Sequence, residues 1–150
     1  PSNSKAFFYD FDFYTYEYPD WVCRNYNDFF VALMKPVQAG TGVGGNISFD
    51  SQGNPVSVNN GFLEACTPGS HGGKTFSCPQ GVTELLGTGF DLRGATGWLR
   101  TSRPHAAGEE ITLRFAIWEM TDEANDSTVI LDNFGWSLDE LPPQTDRPPK

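Results

Sequence analysis

Alternation of apolar and polar residues is the main pattern along the chain, and it predicts strands. From Phe7 to Tyr16 the residues FFYDFDFYTY place aromatic side chains on one face and Asp10 and Asp12 on the other, as in a half-buried strand. Phe29 to Met34 predicts a second strand, and Glu110 to Trp118 alternates again. No segment carries the sustained apolar period that a packed helix requires.

The closing strand, Ser127 to Trp136, is apolar on both predicted faces. Val129 and Leu131 lie on one face, and three larger side chains lie on the other: Ile130, Phe134 and Trp136. Such a strand is typically covered on both sides. Asp132 and Asn133 interrupt the run, so we expect at least one of them to point inward. Because a buried carboxylate needs a partner, Asp132 is either a further ion ligand or a hydrogen-bonded structural residue.

Composition agrees with strands and turns. Sixteen glycines, eleven prolines and twelve phenylalanines among 150 residues are typical of short strands sealed by aromatic side chains. Roughly eight strands at this spacing predict an all-β fold, a two-sheet antiparallel sandwich of jelly-roll type with long loops. Residues 1–140 form the single predicted domain. Residues 141–150, LPPQTDRPPK, are a proline-rich tail that we expect to act as a spacer or linker.

Charge narrows the classes of partner. The formal net charge of −9 repels phosphate backbones and anionic lipid headgroups, so nucleic acid is not an expected partner. No window reaches the apolar length that spans a bilayer, and we predict no transmembrane segment.

The three cysteines, Cys23, Cys66 and Cys78, contain no CxxC pair, which argues against a thiolate zinc site. Cys66 and Cys78 flank the turn-forming loop TPGSHGGKTFS and are the favoured disulfide pair. Cys23 is then left over; it could be buried, pair outside this segment, or replace either partner. A disulfide implies an oxidising compartment, so we expect a secreted or cell-surface protein.

Carboxylates gather beside two distant strand patterns. Glu17 and Asp28 flank the first long loop, whereas Asp122 and Asp126 occupy the loop that enters the closing strand. A calcium ion takes six to eight oxygen ligands, and a site made wholly by protein suits it better than magnesium. The predicted ligand set for a structural calcium is Glu17, Asn27, Asp28, Asp122, Asp126 and Asp132. The alternative is that these residues close separate turns.

Enzymatic activity is not predicted. His71 and His105 lie in glycine- or proline-rich turns, and no serine stands in a GxSxG motif. Exposed aromatic residues could instead bind a sugar, and the candidates are Trp21, Tyr26, Trp98 and Trp118. The alternative is that most of them fill the core.

Three blocks of the chain resemble the choice-of-anchor L domain, a module of bacterial secreted and surface proteins. They are FDFYTYEYPDWVCRNYNDFFVAL, NISFDSQGNPVSVNNGF and TGWLRTSRPHAAGEEITLRFAIWEMTDEANDSTVILDNFGW. The family pattern corresponds here to Glu17–Pro19, Asn27–Asp28, Asn59–Asn60 and Asp122–Ser127. Tyr16 departs from it, since many members carry a second glutamate there. The resemblance implies a bacterial surface location, and no established catalytic activity comes with it.

We therefore expect an extracellular, calcium-stabilised module with an adhesive or structural role on the cell surface. A carbohydrate-binding module is one alternative. A self-assembling fibre subunit is another, in which Phe7 to Tyr14 would pair with a neighbouring copy. The corresponding partners are other surface proteins, surface glycans or copies of this chain.

Overall fold

The computed structural model describes residues 1–120 and 125–148, which form an all-β structure, as predicted. The strands are β1 Ala6–Thr15, β2 Phe29–Lys35, β3 Val56–Ser57, β4 Gly69–His71, β5 Lys74–Phe76, β6 Gly94–Ala95, β7 Leu99–Pro104, β8 Thr112–Trp118, β9 Ser127–Ser137 and β10 Gln144–Asp146. Two short 3₁₀ turns, Val43–Gly45 and Thr83–Leu85, accompany them. Within these ranges, no helix has the length and apolar character needed to cross a membrane.

Two antiparallel sheets enclose the main core. In the larger sheet, β9 pairs with one edge of β1, while β7 and β6 pair with successive stretches of β1, and β10 follows β7. The smaller sheet has the order β3-β2-β8. Strands β4 and β5 form a separate hairpin. This arrangement agrees with a sandwich, whereas the jelly-roll connectivity stays a prediction.

Strand β1 is the central strand of the larger sheet and is buried on both faces. Its inner face supplies the core aromatic residues Phe7, Tyr9, Phe11 and Phe13. On its outer face Asp10 is 8% exposed and Asp12 is 0% exposed. The prediction of a half-buried strand is therefore wrong. β1 is also not the free edge that the fibre hypothesis assigned to it, because β7 and β9 occupy its two edges.

The C-terminal segment packs on the larger sheet. Strand β10 pairs with β7, so this part of the predicted spacer is a strand. Beyond it, Arg147 donates from Nη1 to the carbonyl of Thr96 at 2.6 Å and from Nη2 to the carbonyl of Phe62 at 2.9 Å. These bonds tie the C-terminal segment to the main chain at Thr96 and Phe62, and the charge of Arg147 acts on Asp12 of β1.

The predicted Cys66–Cys78 disulfide is confirmed. It spans 12 positions with a Cα–Cα distance of 5.2 Å, and it closes the segment that contains the β4–β5 hairpin. Both cysteines lie in a small second core with Tyr18 and Val22. Cys23 is free and exposed.

Candidate functional site

A β-bulge in β9 changes which side chains face the core. Phe8 pairs with Gly135 and Asp10 pairs with Asp132, so the single residue Tyr9 lies opposite two residues, Asn133 and Phe134. Asn133 takes a left-handed backbone conformation with φ of 52°, which asparagine tolerates better than most residues. Because strand side chains alternate, one extra residue resets the alternation.

Because of the bulge, Leu131, Phe134 and Trp136 all face the core. Leu131 pairs with Phe11 before the bulge, and Trp136 pairs with Phe7 after it. Phe134 also packs on Phe7, with ring centroids 6.0 Å apart. The prediction that Phe134 and Trp136 lie opposite Leu131 is therefore wrong.

Strand β8 directs a second apolar row toward the same space. Phe115 pairs with Ala32 and Ile117 pairs with Phe30, and both β2 residues are fully buried in the core. The Phe115 ring packs edge-on against Tyr9 of β1 at 5.0 Å. The inner rows of β8 and β9 thus face each other across the sandwich.

The sandwich is open to solvent between these two rows. In the described part of the chain, β8 and β9 each have one hydrogen-bonded neighbour, so each is a sheet edge. We call this surface the open edge; its residues are Phe115 (36% exposed), Ile117 (38%), Leu131 (40%), Phe134 (50%) and Trp136 (40%). Phe134 and Trp136 pack against each other at 5.4 Å, so the surface is preformed.

The open edge exposes a large apolar area. A fully exposed aromatic side chain carries roughly 150–250 Å², so these five residues expose on the order of 400 Å² of apolar surface. Leu138, 63% exposed, follows the open edge just beyond β9, whereas Ile130 pairs with Asp12 and therefore lies on the outer face of the larger sheet. Natural sheet edges are often protected by lysine, proline, other charged side chains or a bulge; β9 has no lysine or proline, but it carries Asp132 and the bulge. Alternation alone could not reveal this surface, because it appears only when the bulge is placed.

Three of the predicted calcium ligands lie at one end of the sandwich, where β1 ends and β9 begins. Thr15 pairs with Ser127 there. Asp28 is 4% exposed and accepts a hydrogen bond from Ser127 Oγ at 2.7 Å. The main-chain carbonyl of Asp126 accepts from Tyr16 N at 3.3 Å, and the next residue, Glu17, is 2% exposed.

The other predicted ligands do not share one location. Asn27 Oδ1 accepts from Asn59 Nδ2 at 2.9 Å. Asp122 lies outside the described residues. Asp132 is exposed, so its predicted burial is wrong, and it pairs with Asp10, five positions along β1 from Thr15. At about 3.3 Å per residue this is roughly 16 Å from the other carboxylates. In residues 1–120 and 125–148, no three His, Cys, Asp or Glu residues form a group suited to a metal.

The candidate aromatic residues lie on separate surfaces. Trp21 and Tyr26 are half-buried and pack edge to face at 5.1 Å. Trp118 is 60% exposed at the end of β8. Trp98 is 39% exposed on the outer face of the larger sheet, beside a pocket that it forms with Asp132 and Asn133.

A pair of covered carboxyl groups lies under the C-terminal segment. Burial raises the pKa of Asp12 to about 6, although Thr96 Oγ1 donates to its Oδ1 at 3.2 Å. Burial and the Asp12 charge raise the pKa of Glu84 to about 7, against the opposing charge of Arg147. Sequence alternation placed Asp12 in solvent and gave no sign of this pair.

Comparisons of the chain with protein-family models, with curated proteins and with solved structures found no match. The resemblance to the choice-of-anchor L domain therefore stays a prediction. Function has to be inferred from the contacts, exposure and charges of the described residues.

Proposed function

We propose that this chain is an adhesive or structural module of the cell exterior that assembles with a second copy of itself through the open edge. The observation that carries the proposal is the exposure of Leu131, Phe134 and Trp136 along an unpaired strand. Contiguous apolar surface of this kind marks interaction sites. The five residues of the open edge expose roughly half of the ~800 Å² that each partner of a standard interface buries.

The sequence of β9 suits pairing with itself. Antiparallel pairing about a twofold axis at Ile130 places Val129 opposite Leu131 of the second copy, so apolar side chains meet across the new strand pair. The same register places Asp132 opposite Thr128 of the second copy, so like charges are not directly paired. Closed twofold dimers are also the commonest symmetric assemblies.

Charge predicts how this association responds to salt. The net charge of −9 opposes the approach of two copies. At physiological ionic strength, exposed charges more than about 8 Å apart are largely screened, so the apolar contact can prevail. Added salt should therefore strengthen the assembly.

Two features support a location outside the cell and a structural calcium. The Cys66–Cys78 disulfide fits an oxidising compartment. Glu17, Asp28 and Asp126 gather at one end of β9, and carboxylate and carbonyl oxygens are the ligands that calcium takes. Asn27 and Asp122 would complete the ligand set. A bound ion there would join the first loop to the start of the edge strand.

The assembly is tested by changing the open edge without changing the core. Leu131→Lys introduces a charge that the new strand pair would have to desolvate, which should abolish association. Leu92→Lys is the matched control, because Leu92 is 81% exposed and belongs to neither β8 nor β9. Light scattering on both folded variants measures the mass. Equal association of the two variants would contradict the proposal.

A further inference from the structure

A shallow pocket lies on the outer face of the larger sheet, on the opposite side from the open edge. It has a volume of about 340 Å³ and is lined by Asp10, Trp98, Asp132 and Asn133. It combines one exposed aromatic ring with acidic and amide groups. The residues come from β1, from the residue before β7 and from the bulge of β9.

The backbone that presents Trp98 is held in place. Arg147 Nη1 donates to the carbonyl of Trp98 at 3.2 Å and to the carbonyl of Thr96 at 2.6 Å. Between them, Gly97 takes φ of 65°, which glycine adopts without strain. Trp98 is nevertheless 39% exposed, so its side chain is accessible to a ligand.

The polar wall of the pocket is equally fixed. Arg100 donates to both oxygens of Asp10, at 2.6 and 2.9 Å, and Asn133 Nδ2 donates to Asp10 Oδ2 at 2.8 Å. Asn133 N also donates to Asp132 Oδ1 at 2.7 Å. A carboxylate has about four acceptor sites and an amide oxygen has two, so acceptor capacity is left for a ligand.

We infer that this pocket binds a neutral hexose unit of a glycan. The apolar C–H face of a pyranose ring packs on an indole, and its hydroxyl groups donate to fixed acceptors such as Asp132 and the Asn133 amide oxygen. The carboxylates and the net charge of −9 disfavour uronic and sialic acids. Binding would add glycan recognition to the assembly role.

The bulge links this pocket to the sheet geometry. Bulges commonly re-aim side chains next to functional sites, and Asn133 holds Asp10 while it lines the pocket. Trp118 is more exposed than Trp98, at 60% against 39%, but it lines neither this pocket nor its polar wall. Exposure alone therefore does not select Trp98.

The test is titration of the folded protein with short neutral oligosaccharides of glucose, galactose and mannose, and with oligogalacturonate as the anionic probe. Tryptophan fluorescence and NMR shifts report binding. We expect at least one neutral probe to bind and the anionic probe to fail. Trp98→Ala should weaken binding by about tenfold or more, as removal of an aromatic anchor does, whereas Trp98→Phe should weaken it less.

Two control variants distinguish failure of the glycan inference from failure of the proposed assembly. Trp118→Ala should bind the sugar unchanged, and so should Leu131→Lys, because neither residue lines the pocket. Failure of every neutral probe, or unchanged binding by folded Trp98→Ala, would overturn the inference while leaving the open edge untouched.

Discussion

Asn133 Nδ2 donates a hydrogen bond to Asp10 Oδ2 across 2.8 Å, from the bulge of β9 to the centre of β1. The bulge that makes this bond affects both faces of the sheet. On the inner face, the bulge aligns Phe134 and Trp136 with Leu131 along the open edge. On the outer face, the same residue borders the pocket beside Trp98.

Replacing Asn133 should destabilise the bulge and change Asp10. Burial raises the pKa of Asp10, but hydrogen bonds from Arg100 and Asn133 outweigh it and hold the pKa below its usual value. Asn133→Gly keeps the left-handed backbone available and removes the bond, so we expect a loss of about 1–3 kcal/mol in the free energy of unfolding. The pKa of Asp10 should rise, as measured by NMR titration. Asn3→Ala is the exposed control, and an equal effect of both changes would refute the role of the bond.

The covered pair of Asp12 and Glu84 should make stability depend on pH. The folded pKa of Asp12 is raised from 3.8 to about 6, and that of Glu84 from 4.5 to about 7. The folded state therefore binds more protons than the unfolded state between about pH 4 and 7, and stability from this pair falls as pH rises through that window.

Asp12→Asn should raise the stability at pH 8 by about 1–3 kcal/mol, because the ionised Asp12 carboxylate then no longer has to be buried. It should also lower the pKa of Glu84, whose rise depends partly on the Asp12 charge. Urea unfolding at several pH values measures the first effect, with exposed Asp139→Asn as the control. A variant with unchanged stability at pH 8 would show that Asp12 carries no such penalty.

The sequence pattern predicted where the strands lie but not which residues pack against them. Alternation located β1 and β8, and continuous apolar runs located β2 and β9. It could not show that Asp12 is buried, because that burial depends on residues distant in the sequence, such as Thr96, which donates to the Asp12 carboxylate. It also could not place the bulge: Asp132 and Asn133 were recognised as an interruption, but the extra residue is defined only by pairing with β1.

The Cys66–Cys78 disulfide should contribute to stability through loop closure. Closing a loop of about this length is worth on the order of 3 kcal/mol in the chain-entropy model, and the bridge spans 12 positions. The double change Cys66→Ser and Cys78→Ser should lower the free energy of urea unfolding by about 2–3 kcal/mol. Cys23→Ser should change it little, because Cys23 is exposed and free. Similar losses from both would contradict this assignment.

Calcium should raise the melting temperature if the carboxylates at the start of β9 hold an ion. The measurement compares calcium with a chelator by differential scanning calorimetry. Asp28→Asn should remove the calcium-dependent shift, whereas Asp132→Asn should retain it, because Asp132 lies beside Asp10 and away from that end. Each variant is compared with itself in the two buffers, which separates ion binding from the lost Ser127 bond. No shift in the unmodified protein would exclude a stabilising calcium.

The predictions of site residues were limited in the same way as the predictions of the fold. Glu17, Asp28 and Asp126 lie near neighbouring strand ends, because Thr15 of β1 pairs with Ser127 of β9, but the calcium site that they were predicted to form stays a prediction. Asp132 was misplaced, because its burial was inferred from the apolar residues around it. The open edge was missed, because exposure of a core-facing row requires knowing that β8 and β9 have no further neighbour among the described strands.

Sedimentation equilibrium of the unmodified chain over a concentration series tests the assembly most directly. The account predicts a mass that rises from 16.6 kDa toward twice that value, and rises further when salt is increased. A mass of 16.6 kDa at every concentration up to about 1 mM, the weak end of specific binding, would contradict assembly through the open edge.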